Sequence, residues 1–268
     1  MEKVTVNGTQ LAYVDSGPRD GVPIVFSHSL FFDHRMFDAL STHFTQAGYR
    51  VVAYDHRNQG ASGPAPRERL DVETLAEDAA ALTRHLGFGP CHFVGNSLGG
   101  FVAIRLAARR QELLFSATVL GSSAEEEHRL AEFAPLVEHL AAHGTADLLD
   151  TLMYTMFGDT SLTQRPEMCT YWRNFMAQLS PTIGDSAHGV IHRSRMVEEL
   201  TGCRVPVLAI AGAEDHTYPQ PISGRHIAVA SGGRDVTVEG AGHSVALERP
   251  DIVAEHLEWF FDQMDVAA

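Results

Sequence analysis

Residues 91–100 read CHFVGNSLGG, a short apolar run that leads into a serine between glycines. The run His92–Gly95 predicts a buried strand, and the residues near 99–110 have the pattern of a helix. Ser97 therefore lies at a sharp strand-to-helix turn, which lifts its hydroxyl above the sheet edge. The amide that follows Ser97 lies at a helix N-terminus, where it can stabilise an oxyanion. The pentapeptide alone is weak evidence, but its position between strand and helix makes Ser97 a candidate nucleophile.

A serine nucleophile of this kind needs an acid and a histidine, which follow it along the chain in that order. The predicted strand Val205–Ala211 is followed by Glu214 and Asp215, and either carboxylate could orient an imidazole. His243 follows the last predicted strand, within the turn Gly-Ala-Gly-His-Ser. That position after the last strand distinguishes His243 from the other histidines and makes it the candidate general base.

The rest of the chain alternates strand and helix patterns on both sides of the turn. Short apolar runs predict strands at Val4–Val6, Leu11–Asp15, Pro23–Ser27, Arg50–Tyr54, His92–Gly95 and Ser116–Leu120. Helical patterns lie near 35–47, 72–87 and 99–110, whereas residues 122–200 contain successive helical patterns and no β-branched run. Alternation returns at Val205–Ala211, Pro219–Ala230, Asp235–Val238 and Pro250–Asp262. The pattern predicts a parallel-sheet core over residues 1–121 and 201–268 that carries a helical cap over residues 122–200.

Composition and net charge limit the kinds of partner that the protein is expected to bind. The chain has 268 residues, of which 44% are hydrophobic, and 20 basic against 34 acidic residues give a net charge of −14. Such an acidic surface makes binding to nucleic acid or to an anionic membrane unfavourable. Three widely spaced cysteines are typical of reduced thiols, and the first residues lack a signal-peptide pattern. We expect a cytoplasmic protein whose partner is a small-molecule substrate; the sequence does not indicate an oligomeric state.

No sequence motif indicates a cofactor or metal. A phosphate-binding glycine loop is absent from the sequence, so a nucleotide cofactor is not expected. His139 and His143, like His188 and His192, are four residues apart and could face one side of a helix. Neither pair carries the glutamate of His-Glu-x-x-His, and 15 histidines produce such spacings by chance. We expect neither a metal nor a cofactor.

Several segments together resemble the α/β-hydrolase superfamily over nearly the whole chain. The matching segments are Phe26–Leu30 (FSHSL), Tyr54–Ser62 (YDHRNQGAS), Gly95–Gly99, Gly212–Asp215 and Gly242-His243. Within the superfamily, Ser29–Phe37 and Gly189–Ile191 are similar to 3-oxoadipate enol-lactonases and related esterases. The resemblance implies a mostly parallel eight-stranded sheet with a helical cap. It also implies that Ser97, His243 and Asp215 form the catalytic triad.

The sequence departs from the family pattern at two positions. Ser29 follows His28 where the family usually has glycine, and Asn58 replaces the glycine of Asp-x-Arg-Gly. Asparagine tolerates a positive φ better than most residues, so the turn at Asn58 can survive. By the resemblance, the backbone amides of Leu30 and Leu98 form the oxyanion hole. The Ser29 hydroxyl is a candidate for an additional donor.

The resemblance implies a serine hydrolase of the carboxylesterase or lactonase type that forms an acyl-enzyme on Ser97 and needs no cofactor. Small esters and lactones are the expected substrates, because alkoxide leaving groups need less acid catalysis than amines. Hydrolysis of C–C or amide bonds and perhydrolysis remain open on the same triad. A small-molecule receptor with a retained triad is the alternative from a different class.

The expected substrate contacts come from the oxyanion loop and from the cap residues 153–176, which are rich in aromatic and Met side chains. We predict that Ser29, Tyr154, Phe157 and Trp172 contact the substrate. A carboxylated lactone would need a cation, for which the candidates are Arg35, Arg173, Arg193 and Arg195. We expect each arginine to be a solvated surface charge, so that the substrate is small, apolar and uncharged.

Overall fold

The computed structural model describes residues 1–265, and its centre is one sheet of eight strands. The strands are β1 (Glu2–Val6), β2 (Thr9–Ser16), β3 (Pro23–Ser27), β4 (Arg50–Tyr54), β5 (Cys91–Asn96), β6 (Leu114–Leu120), β7 (Val207–Gly212) and β8 (Arg234–Val238). Their order across the sheet is β1-β2-β4-β3-β5-β6-β7-β8. The pairs β1–β2 and β2–β4 are antiparallel, and the other five neighbouring pairs are parallel. The predicted α/β class and mostly parallel eight-stranded sheet are confirmed.

Twelve α-helices are present in residues 1–265. They are α1 (Asp38–Gln46), α2 (Val72–His85), α3 (Leu98–Arg109), α4 (Leu130–His143), α5 (Leu149–Met156), α6 (Asp159–Gln164), α7 (Pro166–Met176), α8 (Ile183–Ile191), α9 (Val197–Leu200), α10 (Arg225–Ser231), α11 (Val245–Glu248) and α12 (Pro250–Asp265). Helices α4 to α9 all fall between β6 and β7, in the segment for which the sequence predicts a cap. The domain boundaries themselves stay a prediction. In the described part of the chain, no helix has both the length and the apolar character of a membrane span.

The sequence pattern predicts an element over Pro219–Ala230, whereas the helix α10 in the structure begins only at Arg225. Residues before it form a turn in which the Ile222 amide donates to the Pro219 carbonyl, 2.9 Å away. The side-chain oxygen of Gln220 then accepts from the Arg225 amide at 3.1 Å and so satisfies a free donor of the first helical turn. This side-chain contact sets the helix start, and apolar periodicity does not reveal it.

The strands β3, β4, β5 and β7 are buried along their whole length, which explains their nearly continuous apolar sequences. Because β3, β5, β7 and β8 run in parallel, the residues that follow them meet at one edge of the sheet. Ser97 follows β5, Asp215 follows β7 and His243 follows β8. The topology therefore places the three predicted catalytic side chains at the same edge.

The turn from β5 to α3 depends on two glycines around Ser97, which itself adopts a φ of +51°. A Cβ on Gly95 would lie 2.0 Å from the Gly99 carbonyl oxygen, and a Cβ on Gly99 would lie 1.9 Å from the carbonyl oxygen of Ser27. Both distances are far shorter than any tolerated contact, and both obstacles are backbone atoms. The glycines are thus required by close packing of the turn against its own helix and against β3.

We predict that Gly99→Ala destabilises the fold by about 2 kcal/mol or more, because the β3 backbone must move to admit a methyl group. Urea unfolding of the purified variant measures the change in the free energy of unfolding. Gly89→Ala is the matched control, since a Cβ there meets no atom within 4 Å and the backbone needs no positive φ. If Gly99→Ala is as stable as Gly89→Ala, the packing argument is wrong.

Candidate active site

Ser97, His243 and Asp215 form one continuous hydrogen-bonded chain. The Nε2 atom of His243 lies 2.7 Å from the Ser97 Oγ, and its Nδ1 lies 3.0 and 3.2 Å from the two carboxylate oxygens of Asp215. All three residues are at least 95% buried. The structure thus brings together all three side chains that the sequence places after β5, β7 and β8.

The two adjacent carboxylates after β7 have different partners. Asp215 Oδ1 accepts from the amides of Thr217 and Tyr218 at 2.8 and 2.9 Å, which fixes the carboxylate beside the imidazole. Glu214 points into the helical segment instead, where it accepts from the Thr160 amide at 2.7 Å and from the Thr160 hydroxyl at 2.6 Å. Asp215 is therefore the acid that contacts His243, and Glu214 anchors the start of α6.

The environment of Asp215 favours its ionised form. Burial raises the pKa of the carboxyl group, but the charge of His243, its hydrogen bond and the two amides outweigh burial, so the net pKa is lowered. An ionised Asp215 can only accept, so the network assigns the proton of the neutral imidazole to Nδ1. The Nε2 atom is then free to accept the Ser97 hydroxyl proton.

Two backbone amides lie near Ser97 where an oxyanion hole is expected. Leu98 is the first residue of α3, and Leu30 lies in the loop after β3. Within residues 1–265, neither amide donates to a protein acceptor. The Gly99 amide donates to the His28 carbonyl at 3.1 Å and so ties the two loops together. The assignment of these two amides to an oxyanion hole stays a prediction.

The Ser29 hydroxyl is not such a donor, which corrects the expectation from the sequence. Its oxygen accepts from the Asn96 side-chain amide at 3.0 Å and donates to the Asn96 carbonyl at 3.2 Å. Ser29 is fully buried by these contacts. Its role is to hold the oxyanion loop against the end of β5.

Asn96 was not singled out by the sequence analysis, although it lies beside the nucleophile. Its side-chain nitrogen also donates to the His243 carbonyl at 2.9 Å, and its oxygen accepts from the Ala246 amide at 3.2 Å. One buried amide group thus links the Ser29 loop, the serine turn and the histidine loop. Asn96 stands at a position of the Gly-x-Ser-x-Gly motif where the residue type is not specified, so the motif does not mark it.

Glu248 is a second residue that the sequence analysis missed. One of its carboxylate oxygens accepts from the Gly242 and Ser244 amides at 3.0 and 3.1 Å. The other accepts from the Gly158 amide at 2.9 Å, between α5 and α6. This buried carboxylate fixes the backbone on both sides of His243 and joins it to the helical segment.

A small cavity of about 90 Å³, partly open to solvent, lies next to Ser97 and His243. Its apolar wall comes mainly from three helices, α4, α5 and α8. Their contributing side chains include Val137, Leu140, Leu152, Met156, Val190 and Ile191. Among the described residues that line the cavity, none is a lysine or an arginine. The apolar wall beside Ser97 and His243 is typical of a small-molecule site.

The four substrate contacts predicted from the sequence do not line this cavity, so those predictions are corrected. Phe157 and Trp172 are buried, and their rings pack against Phe32 with centroid distances of 6.0 and 4.8 Å. Tyr154 is 55% exposed and stacks on the ring of His216, which does not line the cavity. On α5 the cavity-lining positions 152, 155 and 156 share one helical face, which excludes position 154. The Ser29 hydroxyl is hydrogen-bonded to Asn96.

The predicted arginine candidates divide into two groups. Arg35, Arg173 and Arg195 are partly exposed, as the sequence predicts, and the structure pairs each of them with a carboxylate. The expectation for Arg193 is wrong, because its side chain is 1% exposed and pairs with Glu127 at 3.0 Å. Its guanidinium carbon lies 4.2 Å from the ring centroid of Phe101, which shields it from water. Within the described chain, no arginine of the four contacts the cavity.

The turn at Asn58 survives without glycine, as predicted. Asn58 has a φ of +64°, in the left-handed region that asparagine tolerates. Its side-chain nitrogen donates to the Thr182 carbonyl at 2.9 Å and to the Ser186 hydroxyl at 3.1 Å. The asparagine thus adds a contact to α8 that a glycine lacks.

The sheet, the serine turn and the helices between β6 and β7 indicate an α/β hydrolase, and the comparison with known proteins agrees. Residues 24–256 match the model of the alpha/beta hydrolase family, and the chain belongs to that family. It is similar to 3-oxoadipate enol-lactonase 1 of Acinetobacter baylyi, with 29% identity over 78% of this chain and 77% of that protein. A bifunctional esterase/perhydrolase of Acinetobacter calcoaceticus is 27% identical over 94% of this chain and 96% of that protein.

A solved structure shows the same likeness in three dimensions. The enol-lactonase from Burkholderia xenovorans LB400 superposes with a TM-score of 0.90 at 26% identity. The match covers 97% of this chain and 100% of that chain. The whole arrangement, including the helices between β6 and β7, therefore has a close counterpart in a known hydrolase structure.

We predict that Asn96→Ala lowers the free energy of unfolding by about 2 kcal/mol or more, since it leaves buried partners of one side chain unsatisfied. Thermal and urea unfolding measure the effect. Asn174→Ala is the matched control, because Asn174 is exposed on α7 and its side chain makes no hydrogen bond within residues 1–265. Equal stability of the two variants would contradict the linking role of Asn96.

Proposed function

We propose that this protein is a serine hydrolase that cleaves small carboxylic esters or lactones through an acyl-enzyme on Ser97. The observation that carries the proposal is the chain of contacts from the Ser97 hydroxyl through His243 to Asp215, at 2.7 and 3.0 Å. Such a chain activates a hydroxyl as a nucleophile, because the imidazole can accept its proton as the hydroxyl attacks. The membership of the alpha/beta hydrolase family supports the same class of reaction.

The proposed reaction has two halves. Ser97 Oγ attacks the carbonyl carbon while its proton moves to His243 Nε2, and that proton then leaves with the alkoxide as the C–O bond breaks. Water attacks the resulting acyl group, His243 again carries the proton, and the carboxylic acid departs with Ser97 restored. Asp215 keeps the imidazole oriented and stabilises its positive charge in both halves.

The oxyanion formed in each half is proposed to lie between the amides of Leu30 and Leu98. The support is that both amides are free of protein acceptors in the described chain and flank the nucleophile. Donors held in advance need no rearrangement when negative charge develops on the carbonyl oxygen. No metal or cofactor enters these steps.

The cavity supports a neutral, largely apolar substrate. Leucine, valine, isoleucine and methionine side chains of α4, α5 and α8 form most of the wall beside Ser97. The carboxylate that lines it, Glu127, would repel an anionic group, and no lysine or arginine among the described lining residues would attract one. We therefore propose uncharged short-chain esters and lactones as substrates rather than a carboxylated enol-lactone.

Perhydrolysis is the second candidate. A relative that matches nearly the whole chain is described as a bifunctional esterase/perhydrolase. The same acyl-enzyme would serve, with hydrogen peroxide in place of water as the attacking molecule and a peracid as the product. Assays of ester consumption with and without peroxide, with peracid measured directly, distinguish the two fates of the acyl group.

We predict that Ser97→Ala lowers kcat for a p-nitrophenyl ester about 10³-fold or more, because within residues 1–265 no other hydroxyl contacts His243 Nε2. Steady-state hydrolysis measures it. Ser41→Ala, on the remote helix α1, is the control and should keep wild-type activity. A Ser97→Ala protein with a tenth of the wild-type kcat would disprove the nucleophile assignment.

A matched pair of variants tests the acid. Asp215→Asn should lower kcat about 10³-fold or more, because the amide cannot stabilise the imidazolium and favours the wrong tautomer. Glu214→Gln removes the same charge from the neighbouring residue, which contacts Thr160 and not His243, so most of the activity should remain. A larger loss in Glu214→Gln than in Asp215→Asn would transfer the role to Glu214.

A further inference from the structure

A buried carboxylate lies in the otherwise apolar wall of the cavity. Glu127 lines the cavity, and its side chain is 1% exposed. One of its oxygens accepts from Arg193 Nη1 at 3.0 Å and from the Tyr218 hydroxyl at 2.6 Å. The other accepts from the Arg129 amide at 3.0 Å. The catalytic steps proposed above use none of these groups.

The cation of this pair lies behind the wall. The Arg193 guanidinium carbon is 5.2 Å from the centre of the Tyr218 ring, and Tyr218 lines the cavity while Arg193 does not. Arg193 also donates from Nε to the Glu125 carbonyl and from Nη1 to the Val190 carbonyl, both at 3.1 Å. Its Nη2 is buried and has no partner within residues 1–265.

Both members of the pair are charged. Burial raises the pKa of Glu127, but the charge of Arg193 and the hydrogen bonds from Tyr218, Arg129 and Arg193 outweigh it, and the net pKa is lowered. The nearby Arg129 guanidinium is engaged by Glu132, so Arg193 is the main counter-ion of Glu127. Because Glu127 lines the cavity and Arg193 does not, the wall presents the carboxylate, and not its counter-ion, to a ligand.

We propose that the Glu127–Arg193 pair determines the charge selectivity of the site by excluding substrates whose acyl group ends in a carboxylate. A carboxylate that enters the cavity loses its water, meets Glu127 and finds no free cation among the described lining residues. An apolar chain end has no charge to desolvate, and its burial is favourable. The proposal rests on the proposed ester or lactone hydrolysis and names its substrate class.

Loss of the Glu127 charge should change this selectivity in a particular direction. In Glu127→Gln the amide oxygen can still accept from Arg193 and Tyr218, although the bond from the Arg129 amide is lost, and the wall becomes positive. A buried guanidinium with a spare Nη2 donor and no counter-ion favours an incoming carboxylate. A merely structural role for Glu127 would instead lower the activity toward all substrates alike.

The test compares two esters of equal chain length, methyl hexanoate and monomethyl adipate, at neutral pH. They differ only in a terminal methyl or carboxylate group, so the ratio of their kcat/KM values isolates charge. In the wild-type protein we expect methyl hexanoate to be preferred about 100-fold or more. This measurement needs no variant to fold, and hydrolysis of the two esters at similar rates would overturn the proposal.

The variants then assign the selectivity to the pair. In Glu127→Gln the ratio should fall about tenfold or more, and in the double variant with Arg193→Gln it should rise again, because no cation is left to bind the carboxylate. Glu125→Gln is the matched control: it removes the same charge two residues away, where the side chain pairs with Arg195, and should leave the ratio unchanged. An unchanged ratio in Glu127→Gln would contradict the proposal.

Binding separates this inference from the proposed reaction. In the Ser97→Ala background, calorimetry should show methyl hexanoate binding about tenfold or more tightly than monomethyl adipate. If the wild-type protein hydrolyses neither ester but this difference in Kd persists, the proposed reaction fails and the charge selectivity stands. If the wild-type protein hydrolyses methyl hexanoate but both esters bind the Ser97→Ala protein equally, the charge selectivity fails and the proposed reaction stands.

Discussion

The site depends on a backbone conformation that an isolated peptide would avoid. Ser97 has φ and ψ of +51° and −108°, a sparsely populated region that costs on the order of 1–3 kcal/mol for a residue with a side chain. The turn persists because β5 and α3 are packed tightly against β3, with Gly95 and Gly99 at the contacts. The strain places the hydroxyl on His243 and leaves the Leu98 amide free, so the chemistry proposed here follows from that one turn.

Carboxylates around the turn, buried at Asp215 and Glu248 and half-buried at Glu214, hold the remaining parts in place, each with different partners. Asp215 orients the imidazole, Glu248 fixes the loop that carries it, and Glu214 ties α6 to the end of β7. Glu127 lies farther out, in the wall of the cavity. In a protein of net charge −14, these acids are each compensated by amides, hydroxyls or a cation, which is what keeps them compatible with folding.

The sequence predicts the central sheet well because strands buried on both faces leave an unambiguous apolar run. Strands β3 and β4 have the predicted bounds, and β5 is one residue longer at each end. The positions of Ser97 and His243 after strands follow from the same pattern. The choice of Asp215 over Glu214 came from the family resemblance, since the residues alone left both open, and Thr160 explains the outcome only in three dimensions.

The cavity wall could not be predicted in the same way. Tyr154 and Met156 are two positions apart in an apolar stretch, and only the orientation of α5 against the core shows which one lines the cavity. Burial of Arg193 depends on Glu127, 66 residues before it, and on Tyr218, which follows it in the chain. Such tertiary partners leave no local pattern in the sequence.

The most direct test of the account is the identity of the residue that becomes acylated. The protein is mixed with a p-nitrophenyl ester, quenched in acid within the first turnover and digested for mass spectrometry. The account predicts one acyl group per chain, on the peptide that contains Ser97, with loss of the modification in Ser97→Ala. An acyl group on another residue, or turnover with no acylated protein at any time in the first cycle, would contradict it.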